Sequence, residues 1–207
     1  MRYPADQKAK ARAALLQSAT RALRQSGFNG VGVDALAASA GVTSGAFYSN
    51  FSGKEALLKE VIDANLGQPF IDPGTGTPAE RRERLKDYLE MYISAQHCAD
   101  PANGCVMPTL SADVARSAAA VRETYGRRMR ELVDKIARVV EGEAVDAEKR
   151  AWSVVVLMVG AVSIARALPA GPDAQAVLDA ALQRAFAVID GRLERRGQSI
   201  RHPEVRA

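Results

Sequence analysis

Between Gly41 and Lys54 the chain carries Thr43, Ser44, Gly45, Ala46, Tyr48, Ser49, Asn50 and Lys54, interleaved with Phe47 and Phe51. These residue types suit contact with a polyanion better than bond-making chemistry. Wound at about 100° per residue, the stretch puts Phe47 and Phe51 on an inner face. Gly45, Ala46 and Ser49 then fall opposite, with Tyr48 and Asn50 on the flanks. So small a face lets the backbone approach base edges in a major groove, while polar groups at its borders reach phosphates. Lys54 opens the next helix, where its charge and the free N-terminal amides could meet a phosphate together. The plainer alternative is a helical hairpin whose aromatics only pack. That reading holds for Phe47 and Phe51; Tyr48, off the core face among small polar neighbours, is expected to touch DNA.

A second group is His97-Cys98 and Cys105, which flank a turn. Their thiols could approach one another and sense oxidants or electrophiles. With Asp100 they could also ligate a metal, although the spacing matches no standard zinc pattern. Packed, inert thiols are the third possibility, and no metal site is expected. Catalysis has little material to work with. There is no G-x-S-x-G, phosphate loop or dinucleotide fingerprint, and the only histidines are His97 and His202. An enzyme is not expected, nor is a cofactor.

The elements that would position these residues are helical. Alanine, leucine, valine and arginine dominate, aromatics make up 5%, and strand-like alternation is scarce. A first helix is expected over residues 6–26, with Ala11, Leu15, Ala19, Ala22 and Leu23 on its apolar face and Gly27 ending it. Short helices over 33–40 and 44–50 flank Gly41, with Thr43 or Ser44 capping the second. A fourth runs over 54–66, with Ser52 as N-cap and Glu55 completing a capping box. The Gly- and Pro-rich stretch 67–78 reads as a loop. Beyond it, helices are expected over 79–96, over 107–142 with a break near Ala118, over 146–168 and over 173–195, with a turn at 99–104.

The fold class that follows is all-α, with about nine helices. A three-helix helix-turn-helix domain occupies residues 1–60, a second helical domain 61–196, and a tail 197–207. The net charge of +4 lies wholly within residues 1–60, where a polyanion could use it; the remainder balances. The opening is polar, unlike a secretion signal. The most apolar run, 151–165, would span about 22 Å of helix, short of the roughly 30 Å hydrocarbon core, and Arg150 and Arg166 bracket it. The expectation is a cytoplasmic protein with no membrane segment.

The stretch 33–58 resembles the DNA-binding domain of the TetR (tetracycline repressor-like) family. The residues that carry the likeness are Leu36-Ala37, Ala40-Gly41-Val42, Thr43, Gly45, Phe47-Tyr48, Phe51 and Lys54. The resemblance implies that Thr43, Tyr48 and Lys54 contact the phosphate backbone and that Ser44, Gly45, Ala46 and Ser49 face bases. Ser49 and Asn50 depart from the bulky aromatic or histidine residues of many members, so contacts there do not carry over. It also implies a regulator, by default a repressor, that leaves a near-palindromic DNA operator when a small apolar or aromatic effector binds. Candidate lining for the effector pocket is Tyr88, Met91, Tyr92, Met107, Leu110, Tyr125, Met129 and Trp152. In the family the last two long helices form a four-helix homodimer interface. The all-round apolar 151–165 and the stripe Val177, Leu178, Ala181, Leu182, Ala185, Ile189 and Leu193 suit that role. The fourth helix, spanning both parts, is expected to transmit the signal. A thiol-based sensor using Cys98 and Cys105, and a helical interaction protein that does not bind DNA, are the alternatives.

Overall fold

The computed structural model describes residues 5–67, 75–140 and 144–192, and among them every regular element is a helix. The first is α1 (Ala5–Ser26), which buries Leu15, Ala19 and Leu23 completely. It stops at Gly27, whose φ of +69° is left-handed and whose N–H still reaches Leu23 O at 3.0 Å. Then come α2 (Val33–Ser39), α3 (Ser44–Asn50) and α4 (Lys54–Asn65). The N-cap of α4 is Gly53, without a side-chain bond, and not Ser52. The capping box expected there is not made, because Glu55 Oε1 instead accepts the N–H of Ala118 at 3.1 Å.

The helix expected over 79–96 is two. A true capping box, Thr77 with Glu80, starts α5 (Pro78–Tyr92). Ile93 then leaves helical geometry, and Ser94 caps a new short helix, α6 (Ala95–Ala99), by accepting from His97 N at 3.1 Å. That break brings the count among the described residues to ten α-helices, one more than the nine or so expected. The turn after α6 contains a 3-10 segment, Pro101–Asn103, capped by Asp100. Next are α7 (Met107–Ala115) and α8 (Ala119–Ala137), separated at the expected place by Ser117-Ala118. The pair α9 (Ala144–Ala167) and α10 (Pro172–Ile189) closes the described chain. Leu193, the end of the expected last helix and the 197–207 tail lie outside the described residues.

Buried side chains from Leu15 to Ile189 form one continuous cluster, and residue 60 falls in mid-helix. Any division there is functional rather than a gap in packing. Besides the packing of α1 on the 3-10 segment, two contacts join the N-terminal helices to the rest. In one, α4 lies along α8, with Asp63 accepting from Arg127 at 2.5 Å and Leu66 O from Arg128 at 3.1 Å. In the other, α1 lies on α7: Thr109 Oγ1 donates to Arg24 O at 2.9 Å and Phe28 N to Asp113 Oδ2 at 2.8 Å. α9 packs its inner face, including Ala151, Val154, Met158 and Val162, against α7, α8 and α10. Its apolar stretch is longer than 151–165: Asp146–Ala167, with mean hydropathy 1.5, is long and apolar enough by composition to cross a membrane. The packed inner face gives that composition a place inside a folded helical body.

Candidate nucleic-acid interface and ligand cleft

Gly41, at φ +69°, closes α2 as the expected turn glycine. Val42 N reaches Ala37 O and Gly41 N reaches Ala38 O, both at 3.0 Å, which is a complete Schellman closure. Thr43 then caps α3, its Oγ1 accepting from Ala46 N at 3.2 Å. Ser44 Oγ donates to Asp34 Oδ1 at 2.5 Å and so fixes the start of α3 against α2. Behind the helix, Phe47 is fully buried and meets Phe51 at 5.7 Å between ring centroids. In front, Gly45 and Ser49 are exposed, Ala46 is half-buried, and Tyr48 is 61% exposed while its ring stands edge-on to Phe47. The two faces expected of a reading helix are therefore both present.

Three polar side chains at this face are engaged with the protein itself. Ser49 Oγ donates to Ala46 O at 2.9 Å, and Asn50 Nδ2 donates to the same carbonyl at 2.8 Å. Lys54 donates to Phe28 O and lies 4.3 Å from the Phe28 ring centroid. Burial lowers its pKa, opposed by the charge of Asp113. An ammonium has three donors, so Lys54 retains capacity for a phosphate. Arg12 is a brace behind this face. It pairs with Glu60, donates to Asn50 O at 2.7 Å and stacks 4.5 Å over Phe51, tying the end of α3 to α1 and α4. No local pattern marks that role, because its partners lie 38 and 48 residues away.

A cleft of about 790 Å³ opens between α1, the end of α4, α5, α6 and the start of α7. It takes Tyr88, Met91, Tyr92 and Met107 from the expected lining. Leu110, Tyr125, Met129 and Trp152 do not line it. Leu110 and Met129 are buried in the core; Tyr125 bonds Ser111 at 2.7 Å; Trp152 Nε1 faces Glu148 at 3.4 Å on α9. Helical periodicity identifies an inward side chain but not which gap it faces. The lining that sequence reading missed is largely polar, with Arg24, Asn65, Glu90, His97, Asp100 and Asn103 beside apolar Leu132. Burial raises the Tyr88 and Tyr92 hydroxyl pKa values, so both stay protonated.

His97 is held by Tyr92 O at Nδ1 (2.6 Å) and by the Cys105 N–H at Nε2 (3.1 Å). One nitrogen must donate and the other accept, which fixes a neutral ring. Its pKa is lowered, chiefly by burial. Cys98 and Cys105 are free thiols, and burial pushes both pKa values up. Reactive thiols need the opposite shift. No group of three or more potential metal ligands occurs among the described residues.

Residues 15–61 match the family model of bacterial regulatory proteins, tetR family. Among solved structures, a TetR-family transcriptional regulator from Cytophaga hutchinsonii is similar at 22% identity and a TM-score of 0.73, over 89% of this chain and 96% of that one. Escherichia coli NemR in its reduced form is similar at 23% identity, TM-score 0.65, over 84% and 94%. A regulatory protein TetR from Rhodobacter sphaeroides is similar at 20%, TM-score 0.65, over 85% and 96%. No curated protein sequence matches this one. These likenesses show the fold. Over residues 15–61 the chain is similar to the helix-turn-helix of bacterial regulatory proteins of the tetR family, and as a whole it shares the fold of these solved structures.

Proposed function

We propose that this regulator is a repressor that binds a near-palindromic operator as a homodimer and is released by a small apolar or aromatic effector. The observation that carries the reading is the outward face of α3, where Gly45 and Ser49 are exposed and Ala46 half-buried while Phe47 anchors the helix from behind. On this reading Gly45 and Ala46 approach base edges, with Ser44 and Ser49 beside them. Thr43, Tyr48 and Lys54 meet phosphates, and Asn50 borders the contact. The Gly53 cap leaves the first amides of α4 without a side-chain acceptor, which favours a phosphate there. Two such helices related by a two-fold axis would occupy successive major grooves.

The effector would enter the cleft, with Tyr88, Met91, Tyr92 and Met107 supplying an aromatic and sulfur-rich wall. It acts by preferring the arrangement in which the two reading helices no longer fit the operator. The loss of DNA affinity then equals its preference between the two states. The thiol-sensing alternative is less favoured, because both thiol pKa values lie above the ordinary value.

A mobility-shift assay with DNA from upstream of the protein's own gene tests the reading. Tyr48→Ala and Lys54→Ala should each weaken binding on specific and non-specific DNA alike. The lysine change should also flatten the salt dependence by about one unit of slope. Binding by the parent chain that neither substitution alters would remove these contacts from the reading; no binding to any such DNA would remove the reading itself.

A further inference from the structure

Several arginines of this protein pair with carboxylates: Arg12 with Glu60, Arg116 with Asp113, Arg127 with Asp63, and Arg128 with Glu131. Arg24 and Arg166, both half-buried, have none among the described residues. Arg24 reaches only neutral oxygens at long range, Ala102 O at 3.4 Å and Asn65 Oδ1 at 3.3 Å, and its Nε is buried without a partner. Arg166 donates to Cys98 O at 3.3 Å and His97 O at 2.9 Å, and its Nη1 is likewise buried without a partner. One guanidinium comes from α1 and the other from α9. Both line a cavity of about 500 Å³ bordered mainly by α1, α6, α9 and α10. Thr109 and Gln175 add polar groups, Leu168 and Leu178 add apolar ones, and no acidic residue lines it.

Two half-buried like charges with no carboxylate partner are costly unless an anion offsets them. The surrounding groups register the same field. The charges of Arg166 and Arg24 add to burial in lowering the pKa of His97, and burial lowers that of Arg24 itself. We propose that this cavity is an anion site whose ligand is a carboxylate with a compact apolar body, held between Arg24 and Arg166. A planar carboxylate matches a guanidinium fork. The cavity is also larger than a small inorganic ion needs, and its remaining walls are largely alanine and leucine. It shares only Arg24 with the cleft assigned above to the effector, so it is a second site. Its position gives it a consequence. Arg24 stands on the helix whose other half carries Arg12, the brace behind α3. An anion bridging α1 to α9 therefore fixes that helix against the C-terminal body.

Titration calorimetry on the full chain tests this with benzoate and hexanoate, using benzamide as the uncharged counterpart. Benzoate should bind about tenfold or more tightly than benzamide, a difference of about 1.4 kcal/mol. Arg166→Gln and Arg24→Gln should each weaken benzoate binding by about tenfold. Ala174→Trp, which fills the cavity from the first turn of α10, should abolish it. Helix content by circular dichroism establishes that each variant folds. Should Arg166→Gln not fold, Arg166→Lys keeps the charge but loses the fork and should bind severalfold more weakly. The proposal is overturned by no binding of either carboxylate up to about 10 mM, by equal binding of benzamide, or by unchanged affinity in the folded Arg166 variant or in Ala174→Trp. Operator binding plays no part in the readout, so the fate of the repressor reading does not decide this one.

Discussion

At Gly45 the fold and the proposed DNA contact favour different side chains. A Cβ there would lie 3.7 Å from Thr43 Oγ1, an ordinary contact, and the backbone is not left-handed. Alanine is the better helix former by about 0.8–1 kcal/mol in a helix interior. Gly45→Ala should therefore raise the melting temperature slightly. Its methyl group would also hold the backbone of α3 off the base edges, lowering affinity for the operator by about tenfold. Thermal melts and mobility shifts on the same preparation check both halves. A variant that is more stable and binds the operator as before would place the close approach elsewhere. The alternation of small residues with Phe47 and Phe51 made this face legible in the sequence, because a single helical turn decides it. Arg12 and Lys54 were not legible in the same way. Only the folded chain brings Phe51 and Phe28 beneath their charges.

The elements show the same limit one scale up. Gly27 and Gly41 end α1 and α2 where a C-terminal glycine is expected, since left-handed backbone is a local demand. Ser52 and Glu55 satisfy the local pattern of a capping box equally well, yet Glu55 is drawn to Ala118, 63 residues away. Ser94 does cap a helix, but that cap divides a segment whose apolar periodicity reads as continuous. At the end of α1 local and distant demands coincide. A Cβ at Gly27 would stand 3.1 Å from Asp113 Oδ2, the oxygen that accepts from Phe28 N. Gly27→Ala therefore combines left-handed strain of about 1–2 kcal/mol with displacement of the α1–α7 tie. Denaturant unfolding should show a loss of about 1–3 kcal/mol. Asp113→Asn, which keeps an acceptor oxygen, should cost less. A Gly27→Ala protein as stable as the parent would mean that this junction is not held as tightly as its geometry indicates.

For the molecule as a whole, sequence reading separated a charged N-terminal third from an apolar helix pair. It placed half of the expected ligand-lining residues at the cleft, because a cleft belongs to several helices at once. The outward face of α9 is where the assembly can be tested. Val156 is 65% exposed and Ile164 52% exposed, and Gly160 lies between them at helical spacing with nothing within 4 Å of its Cβ position. An apolar stripe with a small residue at its centre suits close approach of a partner helix, and Ala176 and Ala180 on α10 are exposed as well. If a second copy covers this stripe, Val156→Glu and Ile164→Glu should each give a folded monomer by sedimentation, since neither side chain belongs to the core of one chain. Operator affinity should then fall by about a hundredfold or more, because a lone reading helix forfeits the second half-site. A Val156→Glu, Ile164→Glu double variant that stays dimeric would move the interface off α9. One that sediments as a monomer and still binds the operator at full strength would remove the two-fold arrangement from the mechanism.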